Sequence, residues 1–123
     1  MENPEKVEAV YGGTPPELTD VRIHEVVLHR DGPALRVRLD LSVYPEQPPR
    51  KWAVQGFNTV QIEITFSGLR AVSLEGFSTD VTADIALREE GGVRVDISSG
   101  ETRVEAVAGT AFISNMTAYV DAA

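Results

Sequence analysis

The chain has 123 residues, 42% of them hydrophobic and none of them cysteine, with 19 acidic against 11 basic side chains and a net charge of −8. This size and apolar share suit one hydrophobic core built without covalent or metal staples, so residues 1–123 read as a single domain. The missing cysteines exclude disulfides, thiolate metal sites and thiol nucleophiles, and the acidic excess disfavours nucleic acid and anionic membranes while attracting basic partners.

The excess is uneven. Residues 1–20 carry five acids and one base, residues 21–74 five acids and seven bases, and residues 75–105 eight acids and three bases. The start of the chain is polar and acidic, without a basic stretch followed by an apolar run. No stretch approaches the ~20 apolar residues of a membrane-spanning helix. A cytoplasmic location is the expectation.

In chain order, residues 3–10 are the stretch that invites a helix: Asn3 can cap it, Pro4 suits its first turn, and Gly12-Gly13 ends it. Period-two alternation then takes over. The strand Val21–His29 has two partly apolar faces, with Val21, Ile23 and Val27 on one side and Val26 and Leu28 on the other. Asp31-Gly32 signals a hairpin, because Gly accepts the positive φ of a tight turn. A two-residue turn would pair Leu28 with Leu35 and Val26 with Val37, whereas a three-residue loop would pair Val27 with Val37. Leu35, Val37, Leu39, Leu41 and Val43 then alternate with Arg36, Arg38, Asp40 and Ser42, the pattern of a strand with one face on a core.

The segment Tyr44-Pro45-Glu46-Gln47-Pro48-Pro49-Arg50-Lys51-Trp52 interrupts the pattern, and its prolines predict a stiff, extended connection. Trp52 either plugs one end of the core at a proline-turned corner or forms, with Arg50 and Lys51, part of an interface. Alternation resumes at Val60, Ile62, Ile64 and Phe66, again at Val81, Ala83, Ile85 and Leu87, and again at Val93, Val95 and Ile97. Shorter strands are expected at 71–76, 102–107 and 111–120. Glu89-Glu90-Gly91-Gly92 predicts a hairpin with Gly91 left-handed, and Ser98-Ser99-Gly100 and Gly109 mark further turns. The expected fold is all-β: an antiparallel β-sandwich or flattened barrel of about eight strands with a short N-terminal helix.

Chemical machinery is sparse. His24 and His29 are five apart, so strict alternation puts them on opposite faces. There is no Gly-rich phosphate loop and no His-Glu pair at helical spacing. No catalytic residue, metal site or cofactor is expected. If Leu87 pairs with Val93, Asp84 faces Asp96 across the strands, a like-charge pair that a cation or a partner's basic side chain would relieve; solvation, or a different register, is the plainer alternative.

Over nearly its whole length the chain resembles a bacterial family known as immunity protein 50. The resemblance is carried by Asn3-Pro4-Glu5, Tyr11-Gly12, Pro15-Pro16, His24-Glu25-Val26 and Arg30-Asp31-Gly32-Pro33-Ala34-Leu35. It continues through Asn58-Thr59-Val60-Gln61, Phe66, Gly68 and Leu74-Glu75-Gly76-Phe77. Its most specific portion is Pro48-Pro49-Arg50-Lys51-Trp52 followed by Gly56-Phe57-Asn58-Thr59-Val60. The family's aromatic residue very near the N-terminus has no counterpart before Tyr11. The resemblance implies a β-rich protein that protects bacteria from a polymorphic toxin by binding the toxin domain; it carries over no catalytic or toxin-contacting residues.

The expected function is therefore that of a non-catalytic immunity protein binding a cognate toxin through Trp52, Arg50, Lys51, Asp80, Asp84 and Asp96. Neither nucleic acid nor membrane is an expected partner, and a homodimer stays open if the two-faced first strand lies exposed. The alternative is a small apolar-ligand binder with a cavity lined by Phe57, Phe66 or Trp52. An enzyme working with carboxylates alone would need two acids converging in one cleft with a displaced pKa.

Overall fold

A computed structural model describes residues 18–89 and 91–122; the helix expected at 3–10 lies outside them. Eight strands follow in order: β1 (Val21–His29), β2 (Ala34–Asp40), β3 (Thr59–Ser67), β4 (Ala71–Glu75), β5 (Val81–Glu89), β6 (Val93–Ser98), β7 (Arg103–Ala108) and β8 (Thr110–Tyr119). One helix, α1 (Arg50–Gln55), stands between β2 and β3. All pairings are antiparallel and join the strands in one sheet ordered β4-β7-β6-β5-β1-β2-β3-β8.

The hydrogen-bonded ladder is open, with β4 and β8 at its edges, yet it cannot lie flat. Strands β7 and β8 stand six positions apart in the order, about 29 Å in a flat sheet. Gly109 alone connects them, and two Cα steps reach at most about 7 Å. The three-residue connection from β3 to β4 makes the same demand across the same six positions. The sheet therefore doubles over, with β1-β2-β3-β8 as one half and β4-β7-β6-β5 as the other. The joint is narrow: β1 meets β5 only through Val21–Ala83, Arg22–Thr82 and Ile23–Val81. The inward faces of both halves share one core, in which Leu35, Leu39, Ile64 and Val104 are wholly buried. Burying each such side chain stabilises by roughly 1.5–3 kcal/mol.

A bulge explains the two-faced first strand. The β1–β2 register slips between Ile23 and Glu25, leaving His24 as the extra residue. Val21 and Ile23 before the bulge, and Val26 and Leu28 after it, thereby face the same side. Beyond the slip, Leu28 pairs with Leu35 and Val26 with Val37, the register of the two-residue turn. Strict alternation also fails for the histidines: the slip turns His24 and His29 to the same face, though roughly 16 Å apart along the strand.

The Pro-rich segment corrects a second expectation. It does not stay extended through Trp52, because α1 starts directly after Pro49, whose carbonyl accepts the Trp52 and Ala53 N–H groups at 2.9 and 3.2 Å. Gly56, left-handed at φ +68°, closes the helix. Proline ahead and glycine behind were the available signals.

Candidate functional site

At the end of β2, the bulge aims His24 at Asp40, which is 4% exposed. His24 Nε2 donates to Asp40 Oδ2 at 2.7 Å, and the Tyr119 hydroxyl donates to the same oxygen. Gln61 Nε2 donates to Oδ1 at 3.1 Å. A buried carboxylate is costly unless its lone pairs are taken, and here three donors from three other strands take them. Further polar pairs lie on the same outward face. Arg38 donates to Gln61 and Glu25, Glu63 accepts from Ser114 at 2.7 Å, and Arg22 pairs with Asp121 at 2.9 Å.

Burial, the bond to Asp40 and the negative charges of Asp40 and Asp121 push the Tyr119 phenol up to about 12, against an opposing pull from Arg22. Such a phenol keeps its proton at neutral pH and makes a poor acid or base there. The arrangement ties four strands together. Beside it, a recess of about 240 Å³ is lined by Asp20, Arg22, Asp40, Tyr44, Thr82 and Asp121 among others.

The six side chains expected at an interface fall into separate places. Trp52 is half-buried against the core and Tyr44, with ring centroids 6.4 Å apart, while Arg50 and Lys51 are exposed on the same helix. Asp80 precedes β5, and Asp84 on β5 accepts the Asp20 backbone N–H at 2.9 Å. Tyr44, Asp20 and Thr82 meet in the recess, so the Trp52 corner and the start of β5 approach the same end of the molecule. Asp96 stands apart, on the outward face of β6.

Asp84 and Asp96 are not opposite each other. The β5–β6 register pairs Leu87 with Val95 and Glu89 with Val93, so Asp84 faces Ser98 and Asp96 faces Ala86. The physical reason is the turn. Only residues 90–92 connect the strands, with Gly91 at φ +60° and Gly92 at φ +132°, a shorter loop than the expected register requires. Asp96 instead lies opposite Glu105 on β7. Arg103 bridges the two acids, 3.3 Å from Asp96 and 2.7 Å from Glu105.

The outward face of β4-β7-β6-β5 holds a groove of about 390 Å³ lined by Ala71, Ser73, Ala86, Arg94, Asp96 and Glu105 among others. Small residues form its floor and charged ones its walls. Asp96 Oδ1 is shielded from solvent and accepts no hydrogen bond from the described residues. The sequence pointed to Asp96 but not to Glu105 or Arg94 beside it, because these charges oppose one another only in the observed register. Phe66 is sealed in the core, and neither the groove on the outward face of β4-β7-β6-β5 nor the recess beside Asp40 is lined by Phe57, Phe66 or Trp52. Among the described residues no group of three or more His, Cys, Asp or Glu is placed to hold a metal ion.

The family model described as Immunity protein 50 matches residues 3–119. No curated protein and no solved structure matches the chain.

Proposed function

We propose, from the premise that this chain belongs to the immunity protein 50 family, that it binds a bacterial toxin domain and blocks it without chemistry of its own. The observation that carries this reading is the family match itself, which spans nearly the whole chain. Two features support it. The net charge of −8 suits a basic partner, and the polar recesses and grooves lie on outward faces rather than around an enclosed apolar pocket. The mechanism is electrostatic steering followed by steric cover of the toxin's substrate site, within the cytoplasm where a toxin would act.

The test is co-expression with the toxin domain encoded beside this chain's gene, read as growth rescue and as complex formation between the purified proteins. Rescue with a measurable complex is the expected result; a toxin that kills regardless and does not bind sinks the reading. Steering is tested separately by the association rate, which falls steeply between low and physiological salt if charge guides the encounter. A salt-insensitive rate removes the steering while leaving the binding.

A further inference from the structure

Cross-strand neighbours on the outward face of the β4-β7-β6-β5 half carry the wrong charges for each other. Arg88 lies directly opposite Arg94 and Asp96 directly opposite Glu105, and like charges so placed are destabilising. Among the described residues neither Arg88 nor Arg94 forms an ion pair, and Arg103 alone is shared between the two acids. The adjoining edge strand β4 is exposed along its whole length. Its inward side chains Val72 and Leu74 are 38% and 45% exposed, and Phe77 just beyond it is 50% exposed. Of the devices that usually blunt a sheet edge, it has no proline, lysine, arginine or bulge; its one charge is Glu75, which turns away acidic rather than basic strands.

The strand is nevertheless held firmly. Arg70 donates its backbone N–H to Val107 and its guanidinium to Gly91. At the other end, Gly76 sits so close to the β6–β7 turn that a Cβ would collide with the Glu101 carbonyl oxygen. An anchored, unguarded edge is ready to accept another strand.

We infer that β4 is the toxin-docking edge: an extended segment of the partner adds beside it as a ninth strand and lays a lysine or arginine over Ser73 onto Glu105, the nearer acid of the Asp96–Glu105 pair. This rests on the toxin-binding reading and names the surface and chemistry of that contact. Ser73 faces Glu105 across β4–β7, and Asp96 follows on β6. The small Ser73 side chain leaves a path along which a long cation reaches Glu105 and relieves its repulsion with Asp96. Glu75, facing Arg103 on the same side, adds further attraction for a basic residue. Apolar residues alternating with the cation would cover Val72, Leu74 and Phe77. Backbone bonds give such a contact affinity, and the alternating side chains give it specificity.

The test is Ser73→Lys, which supplies the cation within the chain. Two opposite effects are expected. The free protein gains stability, with a melting temperature higher by roughly 1–4 °C as the repulsion is relieved. Affinity for the toxin domain encoded beside the gene falls about tenfold or more, because the cation's place is taken and the edge now carries a guarding charge. A rise in stability rules out misfolding as the cause of lost binding.

Hydrogen exchange provides the direct reading: the amides of residues 71–75 that point away from β7 exchange fast in the free chain and become protected in the complex. Binding by the unaltered chain with unchanged affinity in Ser73→Lys, or without new protection at 71–75, overturns this inference alone. No binding by the unaltered chain removes the toxin reading, and the inference with it. Protection of these edge-facing amides already in the free chain means the edge is occupied, by a second copy if sedimentation shows a dimer and by residues 1–17 if it does not; either overturns the inference.

Discussion

The two halves of the doubled sheet present outward faces built on opposite electrostatic rules. On β1-β2-β3-β8, one cross-strand row reads Glu25, Arg38, Glu63 and Asn115, so each charge meets its opposite or a neutral partner. On β5-β6-β7-β4, two of the rows read Arg88, Arg94, Val107, Ala71 and Ala86, Asp96, Glu105, Ser73, so like meets like, and among the described residues opposite charges face each other in the row of Asp84, Ser98, Arg103 and Glu75 alone. The first face is half-buried and knitted to itself through Asp40; the second is largely exposed and flanked by a bare edge. A face whose polar groups already answer one another has little left for a partner, whereas one with unanswered charges does. The comparison assigns stability chiefly to the first half and recognition to the second.

The sharpest way to break this division is Asp40→Ala. It removes the shared acceptor of His24, Tyr119 and Gln61 and leaves a cavity at the buried Asp40 position, at a cost of about 2–3 kcal/mol. Urea denaturation should show the loss in the midpoint with the slope unchanged; a loss below about 1 kcal/mol would mean the network does not hold the half together.

The second half shares the core but, among the described residues, has no polar network like that of Asp40, and glycine substitutions test the backbone contacts that fix its edge. Gly76→Ala should cost about 2 kcal/mol or more, since both its φ of +68° and the Glu101 carbonyl oppose a Cβ. Gly91→Ala, at φ +60° with nothing within 4 Å, should cost only about 1 kcal/mol. Equal losses in thermal melts would show that β4 is not pinned at Gly76.

Tyr119→Phe separates the network's hydrogen bond from its charge. The folded phenol titrates near 12 and the unfolded one near its ordinary value of 10. The stability it contributes is thus complete below pH 10 and lost as pH rises through 12, because the unfolded chain releases the proton first. The wild-type chain should lose stability between pH 10 and 12, and Tyr119→Phe should flatten that limb after an initial cost of about 1 kcal/mol at neutral pH. An unchanged alkaline limb would place the titration elsewhere.

How much of this was legible beforehand follows from what alternation can encode. The eight strands stand where Leu35-x-Val37-x-Leu39 and its counterparts put them, because a half-buried strand writes its period directly into the chain. Register is not written that way. The bulge at His24 reverses the phase of β1 without any residue that demands it, and the two-residue slip between β5 and β6 keeps every inward residue inward. Asp96 was therefore legible as an outward acid facing another charge, but its neighbour depends on how many residues the Gly91-Gly92 turn consumes. Trp52 was legible as a corner, while α1 beneath it depends on caps rather than periodicity.

The smallest expected effects carry the comparison to single charges. Glu63→Gln removes an acid that faces Arg38, lies 3.6 Å from Arg36 and accepts from Ser114, and should lose about 0.5 kcal/mol. Glu105→Gln removes one member of a like-charge pair but also a partner of Arg103, so its stability should hold or rise slightly. Asp84→Asn is the control between them. Its carboxylate serves the Asp20 N–H and faces Ser98 rather than Asp96, so a small loss is expected, as for a weakened hydrogen bond to an exposed carboxylate. A clear gain on Asp84→Asn would mean that repulsion acts at this position after all, and that the like-charge rule extends along β5 beyond the two pairs named here.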